Sequence, residues 1–188
     1  MFIVGRPDLG QLDRILTAQA SEALTYDAVG ATRGAVPAGF RPDRHVAVLG
    51  GGNRVFGRAV EGLQRWEAHR GAGLILHPAA PPIREGTTVV QMIALPGVSA
   101  VAACRIVYVV DAPDRFGFAY GTLPAHPEQS EEAFVVTRDA DGTVRFTITA
   151  FSRPRHPLAR LGGPLTRRTQ LATTRRYLDA LRAVATAG

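Results

Sequence analysis

Residues 100–122 read AVAACRIVYVVDAPDRFGFAYGT. Two runs rich in β-branched and aromatic residues flank an Asp-Ala-Pro-Asp turn signal, so the stretch predicts two strands joined by a short link. The same pattern extends on both sides. TTVVQMIAL precedes it, and EAFVVTRD and VRFTITAFS follow, with LPGVS and DADGT as further turns. Consecutive strands with short links make an antiparallel sheet, because parallel neighbours need a long crossover between them.

Helical spacing appears outside this block. Residues 7–24 place Leu9, Leu12, Ile15, Leu16, Ala20 and Ala23 on one stripe, with Pro7 suited to a first turn. HVAVLG is a strand, and GGNRVFGRAVEGLQRWEAHRG reads as one helix, capped by Asn53 and stopped by Gly71. Phe56, Ala59, Val60, Leu63 and Trp66 form its core face. A last helix spans about residues 164–187. The order predicts an α+β helix-grip fold: a curved antiparallel sheet wrapped on a long C-terminal helix. Residues 1–24 form an N-terminal helical arm, and residues 25–188 form a single helix-grip domain. The space between sheet and helix is where a pocket is expected.

The chain has 188 residues, is 46% hydrophobic and holds one cysteine, Cys104. An internal disulfide and a cysteine-rich metal site are therefore excluded. With no signal-peptide pattern and no segment apolar for long enough to span a bilayer, a cytoplasmic location without membrane insertion is expected. The net charge is +6, and every basic residue but histidine is arginine. Arg153, Arg155, Arg160, Arg167, Arg168, Arg175, Arg176 and Arg182 are opposed late in the chain only by Asp179. Arg168, Arg175 and Arg182 fall on one side of the final helix, opposite Leu171, Leu178, Leu181, Val184 and Ala185. That is the solvent face of an amphipathic helix rather than a nucleic-acid surface, since no aromatic interleaving or binding module accompanies it. Arg167, Gln170 and Thr174 break the pattern by projecting onto the apolar side. Polar groups there need partners or a cavity.

The connection TLPAHPEQSEE, between RFGFAYGT and the next strand, is too long for a tight hairpin. It carries His126 and Glu128, Glu131 and Glu132. A histidine beside carboxylates is suited to proton transfer near neutral pH; a solvated polar loop is the plainer alternative. Glu132 alternates with Phe134 and Val136 and is expected to face inward, with Arg105 or Arg153 as partner. Phe118 and Tyr120 are candidate pocket walls, Tyr120 with a phenol as polar handle, and Tyr108 and Ser152 join them as ligand contacts. VLGGGNRVFG fails as a dinucleotide fingerprint because Val55 stands where a glycine is required. The five histidines show no ligand spacing, so no metal site is expected, and the serines lack a nucleophile elbow.

The segments TYDAVGATRG, GGGNRVFGRAVEGLQRW, RFGFAYGTLPAHPEQSEEAFVV and AFSRP resemble the DUF1990 (UPF0548) family over about residues 25–183. The chain departs from the family pattern at Gln129 and Ser130, where a small-residue Ser-Gly pair is usual. The element order is also similar to the START/Bet v 1-like (SRPBCC) superfamily, which includes lipid carriers, polyketide cyclases and aromatase-like enzymes. What the resemblance implies is a small, largely apolar ligand held inside.

The expectation is thus a protein that binds a small hydrophobic or amphipathic molecule in an internal cavity. It acts either as a cofactor-independent cyclase, dehydratase or isomerase, or as a carrier or sensor. His126, Glu132 and Tyr120 are the acid–base candidates. Arg105, Tyr108, Phe118, Ser152, Arg153, Arg167, Gln170 and Thr174 are the ligand-binding candidates. No cofactor is implied, nucleic acid is the least favoured partner, and a homodimer is compatible with the reading.

Overall fold

The structure is a computed structural model that describes residues 1–155 and 163–187. Arg160, noted above, and His156, one of the five histidines, lie outside the described residues. Strands β1 (Phe2–Val4), β2 (Arg41–Gly51), β3 (Ile75–His77), β4 (Thr88–Leu95), β5 (Val98–Ala112), β6 (Arg115–Thr122), β7 (Glu128–Arg138) and β8 (Thr143–Pro154) make one curved antiparallel sheet. Its order is β2-β8-β7-β6-β5-β4-β3, and β1 pairs with the start of β5. The helices are α1 (Leu9–Ala20), α2 (Gly52–Gln64), α3 (Glu67–Gly71) and α4 (Gly163–Thr186), with a 3₁₀ turn at Ala31–Arg33. The antiparallel hairpins and closing helix are as expected; β1 and β3, only three residues each, escape a periodicity reading.

Alternation along the strands sorts residues onto two faces. The concave face carries Phe116, Phe118, Phe134, Val136, Phe146 and Ile148, which bury against Ala59, Leu63 and Trp66 and against Tyr177, Leu181 and Ala185 of α4. α1 covers the opposite face, with Leu12 packed among Val90, Met92, Val101, Ala103 and Leu123. It starts with a capping box, Asp8 accepting from the Gln11 amide at 2.7 Å and Gln11 reaching back. The N-terminal residues thus pack directly on the sheet, and β1 adds to it.

The helix expected over residues 51–71 is two. Trp66 takes a left-handed conformation, φ 60°, and ends α2. In that position its indole N–H reaches the Pro81 carbonyl at 2.9 Å while the ring is 1% exposed. Local strain is thereby exchanged for a deeply buried aromatic anchor. Asn53 is not the N-cap; Gly51 is, and Asn53 accepts from Arg138 inside the first turn. Gly71 ends α3 as expected, and a Cβ there would stand 2.5 Å from that of Ala180. The close α3–α4 approach requires glycine.

Candidate functional site: a cavity between sheet and closing helix

A cavity of about 540 Å³ lies between the concave face and the first half of α4. Ile93, Ala100, Ile148 and Ala150 are apolar wall, and Phe2 and Leu95, 67% and 48% exposed, mark its open side. Gln91, Tyr120, Ile148 and Tyr177 are all below one-tenth exposed and mark the closed end.

β6 and β7 set the polar centre of that end. Tyr120 and Glu132 are register partners, so their side chains leave the sheet side by side on one face. The Tyr120 hydroxyl donates to Glu132 Oε2 at 3.0 Å. Behind it, His69 Nε2 is 3.2 Å from the same hydroxyl. With Tyr120 committed to Glu132, His69 must be the donor, which leaves its Nδ1 lone pair without a partner. Trp66, Phe134 and Tyr177 surround the imidazole at ring distances of 4.6–4.9 Å. This burial pulls the His69 pKa down to about 3.

Burial also raises Glu132 to about 7, against the opposing pull of the Tyr120 hydrogen bond. Tyr120 is held well above its ordinary value, by burial first and the Glu132 charge second. The phenol therefore stays a donor, while the carboxyl populates both protonation states near neutral pH. That is the property an acid–base group needs.

His126 folds back to line the cavity. Its Nδ1 accepts from the Glu128 amide at 3.0 Å, which places the remaining hydrogen on Nε2. Burial, aided by the N-terminal ammonium, lowers its pKa to about 4. His126 is therefore a neutral hydrogen-bond donor at pH 7, not the tuned base expected of it.

At the α4 side, Arg167 binds Asp43 through both guanidinium nitrogens, at 2.5 and 2.7 Å. Gln170 donates to Glu128 at 2.5 Å and accepts from Arg41 at 3.0 Å. Thr174 bonds back to the Gln170 carbonyl at 3.0 Å. These three polar breaks in the apolar stripe line the cavity, and Ser152 joins them from β8.

Four expected ligand contacts lie elsewhere. Arg105 leaves the opposite face and caps the end of α1, donating to the carbonyls of Gln19, Ala20 and Glu22 at 2.8–2.9 Å. Glu132 is paired with Tyr120 instead. Arg153 also points outward, over the Phe40 ring at 4.3 Å and bonded to Gln129. Tyr108 would share a face with Ile106 by alternation. The register shift between those two residues turns it outward, where it meets Thr32 at 2.8 Å and the Arg33 guanidinium. Phe118 does face inward, but its ring is 0% exposed, packed on Trp66 below the cavity.

A model of the family described as "Domain of unknown function (DUF1990)" matches residues 25–180. The chain belongs to this family. A UPF0548 protein of Deinococcus radiodurans is 33% identical over 192 residues, covering 96% of this chain and 97% of that one. A UPF0548 protein of Arabidopsis thaliana is 29% identical over 151 residues, covering 76% and 72%. Among solved structures, a hypothetical protein of Helicobacter pylori gives a TM-score of 0.58 at 12% identity, covering 87% of this chain and 99% of that one. The di-domain ARO/CYC protein BexL gives 0.54 at 14% identity, covering 81% of this chain and 52% of that protein. The DUF1990 chain thus shares the helix-grip fold with proteins of very different sequence.

The TYDAVGATRG segment that carries the family resemblance lies outside the cavity of this DUF1990 protein. Glu131, 0% exposed, points to the convex face and gathers it. Its two oxygens accept from the Tyr26 hydroxyl and the Gly30 amide, both at 2.7 Å, and from the Thr32 amide and hydroxyl at 2.9 and 2.5 Å. Glu131 is a latch for that loop.

Besides His69, which backs Tyr120 from α3, site residues absent from the sequence reading include Asp43, Gln91 and Tyr177. Signals for them existed. Gln91 is the polar interruption in TTVVQMIAL, Asp43 alternates with Ala47 and Leu49, and Tyr177 is in helical phase with Gln170 and Thr174. Among the described residues, no cluster of three or more His, Cys, Asp or Glu could hold a metal ion, and no helix is long and apolar enough to cross a membrane.

Proposed function

We propose that the protein binds a small, mainly apolar molecule in this cavity and moves a proton on it, as in a cofactor-independent cyclisation, dehydration or isomerisation. The observation that carries the reading is the Tyr120–Glu132 pair at the closed end. A carboxyl raised to about 7 by burial can accept and return a proton at the same pH. Tyr120 orients it and stays protonated throughout. His126 contributes a neutral N–H, and Arg167, Gln170 and Ser152 line the polar side. The likeness to BexL is one of fold and supports the presence of a cavity, not a particular reaction.

Native mass spectrometry of freshly purified protein identifies what co-purifies. Incubating that compound with the wild-type chain and with Glu132→Gln then tests the chemistry. Conversion is expected to fall by about 10²–10⁴-fold in the variant, with binding retained. Recovery of the compound unaltered from the wild type makes the protein a carrier or sensor instead.

A further inference from the structure

Gln91 sits in the middle of β4, opposite Leu76 of β3 and Ala102 of β5, and its side chain enters the closed end of the cavity. The residue is 6% exposed. Its Nε2 has no hydrogen-bond partner among the described residues. It lies beside the Tyr120 phenol, close enough to donate weakly to that oxygen, yet outside the distance and angle of a formed hydrogen bond. A buried amide donor left unpaired costs stability unless something outside the chain accepts from it. An apolar side chain of the same volume would fill this position at less cost.

The surroundings define the acceptor. Tyr120 already donates to Glu132, and the Tyr177 hydroxyl has Tyr120 as its hydrogen-bonding neighbour; Gln91 Nε2 is the buried donor left without a formed bond. Ile93, Ile148 and Ala150 form the adjoining wall. Arg167, the one arginine among the described lining residues, is committed to Asp43 on the α4 side. A carboxylate or phosphate entering here would meet the Glu132 carboxyl with no cation to balance it. A neutral carbonyl oxygen satisfies Gln91 without that penalty.

We infer that the ligand carries a neutral carbonyl group whose oxygen is received at the closed end by Gln91 Nε2. The inference rests on the cavity being a ligand site. It adds the substrate class: an apolar ketone or comparable carbonyl compound, oriented with that oxygen innermost and its neighbouring carbons beside the Tyr120–Glu132 pair.

Three probes of nearly equal shape test this with the full chain: methyl naphthyl ketone, ethylnaphthalene and naphthoate. The readout is the ratio of ketone to hydrocarbon affinity, in the wild type and in Gln91→Met, which keeps the volume and removes the donor. The ratio is expected to fall about tenfold in Gln91→Met, the worth of one buried hydrogen bond, while ethylnaphthalene binding holds. Naphthoate is expected to bind weakest. Gln91→Leu, apolar and of similar volume, is the check should Gln91→Met fold poorly; it should show the same fall in the ratio. An unchanged ratio in both variants means Gln91 serves only solvent and overturns the inference, leaving the cavity reading intact. If the wild type binds none of the three, the cavity reading falls and the inference falls with it.

Discussion

The Tyr120 hydroxyl stands 3.0 Å from Glu132 Oε2, and the two residues face each other across the β6–β7 ladder. Their pairing is fixed by strand register and does not depend on a mobile loop. The carboxyl's folded-state pKa of about 7 lies above its ordinary 4.5. Its stabilising contribution is therefore complete below about pH 4.5 and lost as pH rises through about 7. Glu132→Gln removes that loss, worth on the order of 2 kcal/mol because the cavity admits some water. Urea unfolding at about pH 5 and pH 8 measures it; no difference in slope between the two proteins would place the carboxyl in bulk solvent.

His126 tilts stability the other way. Its pKa falls from 6.5 to about 4 in the fold, so its contribution is complete above about pH 6.5 and lost as pH falls through about 4. The two windows overlap, which makes the wild type flatter than either single variant. His126→Asn keeps an acceptor for the Glu128 amide and drops the titration. Its melting temperature should fall toward alkaline pH, whereas that of Glu132→Gln should fall toward acid. Parallel profiles for the two variants would contradict both assignments.

Glu131 collects four donors from the 25–34 loop. Glu131→Ala leaves them without a partner and is expected to cost on the order of 3–5 kcal/mol. Tyr26→Phe removes one of the four, at about 1–2 kcal/mol. Chemical denaturation ranks them. Hydrogen exchange at the Gly30 and Thr32 amides should accelerate in Glu131→Ala, well beyond its effect on the cavity.

Gly121 lies under Tyr26. A Cβ there would be 2.2 Å from the Tyr26 hydroxyl oxygen, which cannot retreat while Glu131 holds it. Gly121→Ala should destabilise by about 2–3 kcal/mol. In a Tyr26→Ala background the added cost should shrink to a few tenths of a kcal/mol, because the obstruction is gone. An undiminished cost would point to backbone conformation as the cause.

The cavity's inner wall was legible wherever strict alternation held. Phe134, Glu132 and Ser152 all face as period two dictates. It failed at Tyr108, where one extra residue near Val107 resets the phase; a bulge leaves no periodicity signal because both phases are apolar. Arg105 and Arg153 were misplaced for another reason. A buried acid suggests an arginine partner, but here a neutral phenol suffices, and each guanidinium serves the outer face. The α2–α3 break at Trp66 follows from tertiary burial of the indole, which local helix propensity cannot register. Glu131, by contrast, was passed over because its partners lie about a hundred residues earlier.

The adjacent acids Glu131 and Glu132 leave β7 on opposite faces, one to four donors and the other to a single phenol. A slip of this strand by one residue would move one acid into the other's place and set Ser130 or Ala133 where an acid belongs, so that either the loop's donors or the Tyr120 phenol lose their carboxylate while aromatic rings are thrust out of the core. The doubled glutamate thus marks the register of the strand. Only one alignment of β7 with its neighbours places both acids correctly, so the outer loop and the inner chamber are satisfied by the same register.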